Sequence, residues 1–143
     1  MKRSARNIYK WLWRIAVQVR DCTKNAGILG RFDPVVQKLI DWTFRPPSQE
    51  IEAILPLGLK LVIPPACKVA LHLDAGVYEK ELTTLFMRLT RRGMNIVDLG
   101  AHIGYYTVLA CRLAGTSGIV YAFEPDPLNI TYLQKNVAVN GCS

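Results

Sequence analysis

Seven residues, Asp98-Leu-Gly-Ala-His-Ile-Gly104, have the types and spacing of a small-ligand cradle. A strand that ends in Asp, turns on glycine and feeds a helix gathers three things in one place. These are a carboxylate, a stretch of bare backbone and the unpaired N–H groups of the helix start. Gly100 would let backbone approach a ligand with no Cβ in the way, and Gly104 would let the helix begin close to the strand. A second carboxylate, Glu124, stands about twenty residues further on, the interval at which an acidic residue can reach a ribose. A carboxylate there can accept a hydrogen bond from each of two sugar hydroxyls. The chemistry that suits these residues is the holding of a nucleoside.

The elements that must position them are legible from pattern. Met94-Asn-Ile-Val97 reads as a strand running into Asp98, Tyr105 to Leu113 as a helix, and Ile119-Val-Tyr-Ala-Phe123 as a second strand. A last helix is expected from Pro127 to about Asn140, with Asp126-Pro127 as N-cap and first-turn proline and Asn140-Gly141 as its stop. Glu79 to Thr90 is expected to be helical, with Leu82, Leu85, Phe86 and Leu89 as a buried stripe and Arg91-Arg92-Gly93 closing it. Upstream, Leu59–Ile63 after a turn at Gly58, and Val69–Leu73, read as the two strands of a small antiparallel flap. Arg45-Pro-Pro47 reads as a linker, and Asp33-Pro34 opens a helix from Val35 to about Phe44. Residues 4–20 read as a helix with Ile8, Trp11, Leu12, Ile15 and Val19 on one face. The division expected is therefore a basic helical arm (1–46), a β flap (47–77) and a cofactor domain (78–143). The sequence contains no internal repeat or low-complexity segment.

Two nucleoside cofactors compete for the turn. A dinucleotide fingerprint, G-x-G-x-x-G, uses its second glycine to admit a pyrophosphate. In this sequence Ala101 or His102 stands at that place, and the glycines are spaced Gly100-x-x-x-Gly104. Asp98 would repel a pyrophosphate but attract an amino group and a sulfonium, the two cationic groups of S-adenosylmethionine. The candidate cofactor residues are Asp98, Gly100, Ala101, His102, Gly104, Tyr105, Glu124 and Pro125. The plainer reading, in which the glycines serve only tight packing, leaves the acidic residues at both strand ends without a purpose.

The strings Ile96-Val-Asp-Leu-Gly-Ala-His-Ile-Gly-Tyr-Tyr-Thr107, Val120-Tyr-Ala-Phe-Glu-Pro-Asp-Pro127 and Leu133-Gln-Lys-Asn136 with Asn140 resemble the FkbM family of S-adenosylmethionine-dependent methyltransferases. The resemblance covers about residues 78–143, with Tyr78-Glu79 similar to that family's approach to the first strand. It implies an α/β, Rossmann-like class I methyltransferase fold and O-methylation of sugars, polyketides or similar hydroxylated small molecules. It also implies that Asp98, Gly100 and Gly104 line the methionine end, that Glu124 holds the ribose and that Pro125 shapes the turn after it. One departure is visible: His102 stands where family members commonly carry Asn. Only the first β-α-β-α portion of such a fold can be placed, preceded by helices and the flap, so the chain is expected to be a fragment with an open apolar sheet edge.

Charge and cysteines bound the alternatives. The net charge of +7 lies wholly in residues 1–45, which hold ten Lys and Arg against three Asp; the rest carries eight of each sign. The cofactor module therefore has no bias towards nucleic acid, and the arm, though basic, has no specific readout motif. A terminal helix docked on the domain and a basic, tryptophan-bearing helix lying on an anionic membrane surface both fit residues 4–20. Cys22, Cys67, Cys111 and Cys142 have neither zinc nor redox-pair spacing, so no metal is expected and they read as reduced thiols of a cytoplasmic protein. No apolar run reaches the ~18 residues of a membrane span. Arg6, Lys10 and Arg14 interrupt any signal-peptide core after Lys2-Arg3.

Chemistry on such a cofactor is in-line attack by a substrate hydroxyl on the sulfonium methyl. The protein then chiefly positions reactants and removes a proton. The two histidines are His72, in the expected strand Val69–Leu73, and His102, at the turn; neither reads as a convincing base, so no catalytic residue is assigned. Three functions follow: a methyltransferase, a cofactor-binding or interaction module without turnover, and a nicotinamide-dependent enzyme.

Overall fold

The computed structural model describes residues 10–18 and 47–142. The expected helix at 35–44, most of the expected linker, Cys22 and both ends of the expected 4–20 helix lie outside the described residues. Two compact units divide the chain, one formed by residues 1–48 and 66–78 and the other by residues 49–65 and 79–143.

In the first unit, residues 10–18 are helical (α1) and pack on a short helix, α2 (Ala70–Ala75). The buried residues of α1 are Trp13 and Val17, set against Ala75 and Val77. Trp13 meets His72 edge-on at 4.9 Å between ring centroids. Lys10 pairs with Asp74 at 2.8 Å, and Arg14 Nε donates to Ala75 O at 2.5 Å, a cation on the carbonyl end of α2. The expectation of a strand at Val69–Leu73 is thus corrected. Alternation over five residues cannot separate strand from helix, and Ala70 and Leu73 are buried with helical spacing.

In the second unit, β1 (Ile51–Ile54) and β2 (Lys60–Ile63) form an antiparallel hairpin with Ile51 opposite Ile63 and Ile54 opposite Lys60. The partner of β2 therefore precedes it in sequence. The turn between them is a single 3-10 turn at Pro56–Gly58. Helix α3 (Lys80–Leu89) follows, then β3 (Asn95–Leu99), α4 (Tyr105–Ala114), β4 (Ile119–Phe123) and α5 (Pro127–Val139). β3 and β4 are parallel, with Asp98 beside Ala122 and Leu99 beside Phe123. The crossover helix that a parallel pair requires is α4. Mixed α/β architecture is borne out, and the strands and helices expected from Met94 onward are all present within a residue or two.

Helix α5 fastens the hairpin. Asn136 is fully buried; its Oδ1 accepts from Val62 N at 2.6 Å, and its Nδ2 donates to Val62 O at 2.9 Å and Ile103 O at 2.7 Å. One helical turn on, Asn140 treats Lys60 alike, accepting from its N at 2.9 Å and donating to its O at 2.7 Å. Four helical residues rise about 6 Å and two strand residues rise about 6.7 Å, so the two amides match alternate residues of β2. They satisfy backbone groups that a neighbouring strand would otherwise pair.

Three expectations are corrected. Leu82, Leu85 and Leu89 are exposed, and the buried residue of α3 is Thr83. That helix is turned by about one residue from the expected face, because Thr83 supplies the hydrogen bond that the Tyr105 hydroxyl needs at 3.0 Å. Cys111 and Cys142 are not free thiols but a disulfide, with Cα atoms 6.0 Å apart; α4 and the end of α5 bring together residues distant in sequence. Cys67 is a free thiol. Finally, the exposed apolar surface of the β3–β4 pair is a whole face and not only an edge: Val97, Leu99, Ile119, Tyr121 and Phe123 are all exposed.

Candidate functional site

The turn between β3 and α4 is built by left-handed backbone. Gly100 (φ 79), His102 (φ 51) and Gly104 (φ 92) all lie in that region. The N–H groups of Gly100 and Ala101 both donate to Phe123 O, at 2.9 and 3.0 Å, which binds the turn to the last residue of β4. Gly104 N closes it on Ala101 O at 2.8 Å.

The two glycines do different work. A Cβ on Gly100 would meet nothing within 4 Å, so backbone there borders open space. A Cβ on Gly104 would lie 2.7 Å from Leu133 Cδ1, so its glycine admits α5. The close approach inferred for Gly104 is therefore real, but its partner is a helix and not the strand.

Glu124 closes the far side. Its Oε2 accepts from His102 N at 2.8 Å, and its Oε1 accepts from Asp126 N at 3.1 Å and from Asn129 Nδ2 at 3.2 Å. The Asp126 N–H, followed by the Asn129 amide and the His102 N–H, holds the Glu124 carboxyl below its usual range against an opposing effect of burial. Asp126 meanwhile caps α5 by accepting from Asn129 N at 2.9 Å. Asp98 is oriented by Thr107, whose hydroxyl donates to its Oδ2 at 2.6 Å.

The structure thus brings Asp98, Gly100, Ala101, His102, Gly104 and Glu124 to one turn. Ala101 is buried while the His102 side chain is exposed. The departure from Asn at position 102 becomes intelligible: the residue acts through its N–H in a left-handed conformation that Asn, and less often His, adopts readily. Pro125, exposed, follows Glu124 and leads into the cap of α5. Tyr105 is buried with its hydroxyl against Thr83 on α3. Its neighbour Tyr106 donates to Glu79 Oε2 at 2.8 Å. Burial raises the titration of both phenols, and the Glu79 carboxylate raises it further, so neither serves as a base near neutral pH.

Thr107, Asn129 and Asn136 were not singled out as site residues from sequence. Asn136 and Asn140 carried part of the resemblance, but with no role attached. The signal for Asn129 is its place three residues after the Asp126 cap, which aims it back over the turn. A cavity of about 620 Å³ opens among α4, β4 and α5. Thr107 and Glu124 lie on its lining, which is otherwise largely apolar, and Asp98, Gly100 and Gly104 do not line it. It is a gap in the packed layer rather than the cradle. Among the described residues, no His, Cys, Asp or Glu cluster could hold a metal ion.

The second unit thus contains a parallel β-α-β unit with a glycine turn after its first strand and an acidic residue at the end of each strand. Residues 98–143 match the methyltransferase FkbM domain. This stretch takes in the turn, α4, β4 and α5, and bears out the resemblance over those elements. No curated protein matches the chain.

Proposed function

We propose that residues 79–143 form an S-adenosylmethionine-binding part of a Rossmann-like class I methyltransferase acting on a hydroxyl oxygen of a sugar or similar small molecule. The observation that carries this reading is the pairing of Asp98 with Glu124 across a turn that has open space at Gly100. The FkbM domain match supports the reaction type.

The residues present fit such a cofactor. A carboxylate offers about four acceptor positions. On Asp98 the Thr107 hydroxyl takes one, and the others are available to an amino group. On Glu124 three are taken, which leaves one on Oε2 for a ribose hydroxyl; a second hydroxyl can be held if the Asn129 amide gives way. The positive end of α4 and the bare backbone of Gly100 complete the cradle. The cofactor, when bound, supplies an electrophilic methyl on a cationic sulfur. Asp98 offers its negative charge to the amino end, and the turn fixes the orientation. No base is assigned.

Equilibrium dialysis with S-adenosylhomocysteine and with NAD tests the reading. Saturable binding of S-adenosylhomocysteine with none of NAD is expected. Preference for NAD would assign the site to a nicotinamide enzyme. Failure of both ligands with a folded chain would favour an interaction module.

A further inference from the structure

Helix α1 is apolar on two sides, and among the described residues only one of them is buried. At about 100° per residue, Trp13 and Val17 lie on roughly the opposite side of the helix from Trp11, Leu12 and Ile15. The first pair is buried against α2. The second set is exposed, Trp11 by 60%, Leu12 by 45% and Ile15 by 37%.

Charge accompanies this ridge. Residues 1–20 contain Lys2, Arg3, Arg6, Lys10, Arg14 and Arg20 and no acidic residue. Lys10 and Arg14 are engaged by α2, and four further cations belong to the sequence on either side.

We infer that the outer ridge of α1, Trp11-Leu12-Ile15, docks into the interface of an anionic lipid bilayer. An interfacial helix binds through its buried apolar area together with attraction of its cations to anionic headgroups. A tryptophan on the ridge suits that interface, since its ring is apolar and its N–H is polar. A second copy of the chain is a poorer occupant. The three side chains expose on the order of 300 Å², against about 800 Å² per partner in a stable protein interface. The contact is peripheral: among the described residues no helix is long and apolar enough to cross a membrane. The inference rests on α1 alone and is independent of the cofactor reading.

The test is co-sedimentation of the full chain with vesicles of phosphatidylcholine containing phosphatidylserine, and with phosphatidylcholine alone. Wild type is expected to bind the anionic vesicles, with tryptophan emission quenched by lipids brominated on the acyl chain. The variant Trp11→Ser/Leu12→Ser/Ile15→Ser should bind at least ~10-fold more weakly while melting at the wild-type temperature, because all three side chains are exposed. Ile15→Glu alone should weaken binding in the same direction. Three results would overturn the inference. One is wild type that ignores anionic vesicles. Another is vesicle binding that RNA displaces equally from wild type and variant with no lipid quenching. The third is a wild-type dimer that the triple variant abolishes.

Discussion

The backbone N–H of His102 donates to Glu124 Oε2 at 2.8 Å, so the acidic residue at the end of β4 itself holds the turn at the end of β3. The same carboxylate that is read as a ribose anchor is therefore also a structural clasp. His102 stands at φ 51, where a β-branched residue is strained by about 1–2 kcal/mol. His102→Val should lower stability by about that amount in urea melts, whereas His102→Asn should leave it within about 0.5 kcal/mol. Equal losses for both would show that the imidazole, and not the backbone, matters.

Glu124 gives the clasp a pH dependence with a definite sign. Its carboxyl is held below the usual range, first by the Asp126 N–H. The stability it contributes is therefore present above the unfolded value of about 4.3 and is lost as pH falls through the folded value. Wild type minus Glu124→Gln should show a stability difference that shrinks as acid is added below about pH 4.3. A difference unchanged by acid would mean that the carboxylate is not engaged.

Asn136 and Asn140 make parallel bonds in different surroundings. Replacing Asn136 with Leu leaves Val62 N–H, Val62 C=O and Ile103 C=O without their partner in a buried place. The expected loss is about 3–5 kcal/mol, since each orphaned buried group costs roughly 1–3 kcal/mol and the added apolar burial offsets part. Asn140→Ala, at exposed bonds, should cost about 1 kcal/mol or less. Chemical denaturation separates the two, and equal effects would contradict the burial argument.

The Cys111–Cys142 disulfide closes a loop with a sequence separation of 31. Chain entropy assigns such a loop about 3–4 kcal/mol. Reductant should lower the melting temperature of wild type and leave Cys142→Ser unaffected. A reductant-insensitive wild type would show that the thiols are not bonded in solution.

The second unit was legible where local chemistry and tertiary need agree. Asp126-Pro127 capped α5 as expected, and the glycine turn lies between its two strands. Legibility failed where a long-range partner decided the outcome. Val69–Leu73 has a pattern that suits either state, and burial against α1 goes with the helix. On α3 the leucine stripe was plain, but the Tyr105 hydroxyl goes with Thr83 buried instead. The disulfide depends on the packing of α4 with α5, which no spacing rule reports. On α1, the described members of the expected stripe, Trp11, Leu12 and Ile15, are exposed, and Trp13 and Val17 are buried in their place.

The central claim is that Asp98 and Glu124 bracket an S-adenosylmethionine site, and calorimetric titration of wild type and Glu124→Ala with S-adenosylhomocysteine tests it most directly. A charge-assisted anchor predicts binding weakened by about 1.5–3 kcal/mol in the variant, or roughly 10- to 150-fold. Circular dichroism on the same samples would show the fold retained. An affinity unchanged by the substitution would contradict the assignment of Glu124 as the ribose anchor and, with it, the reading of the turn.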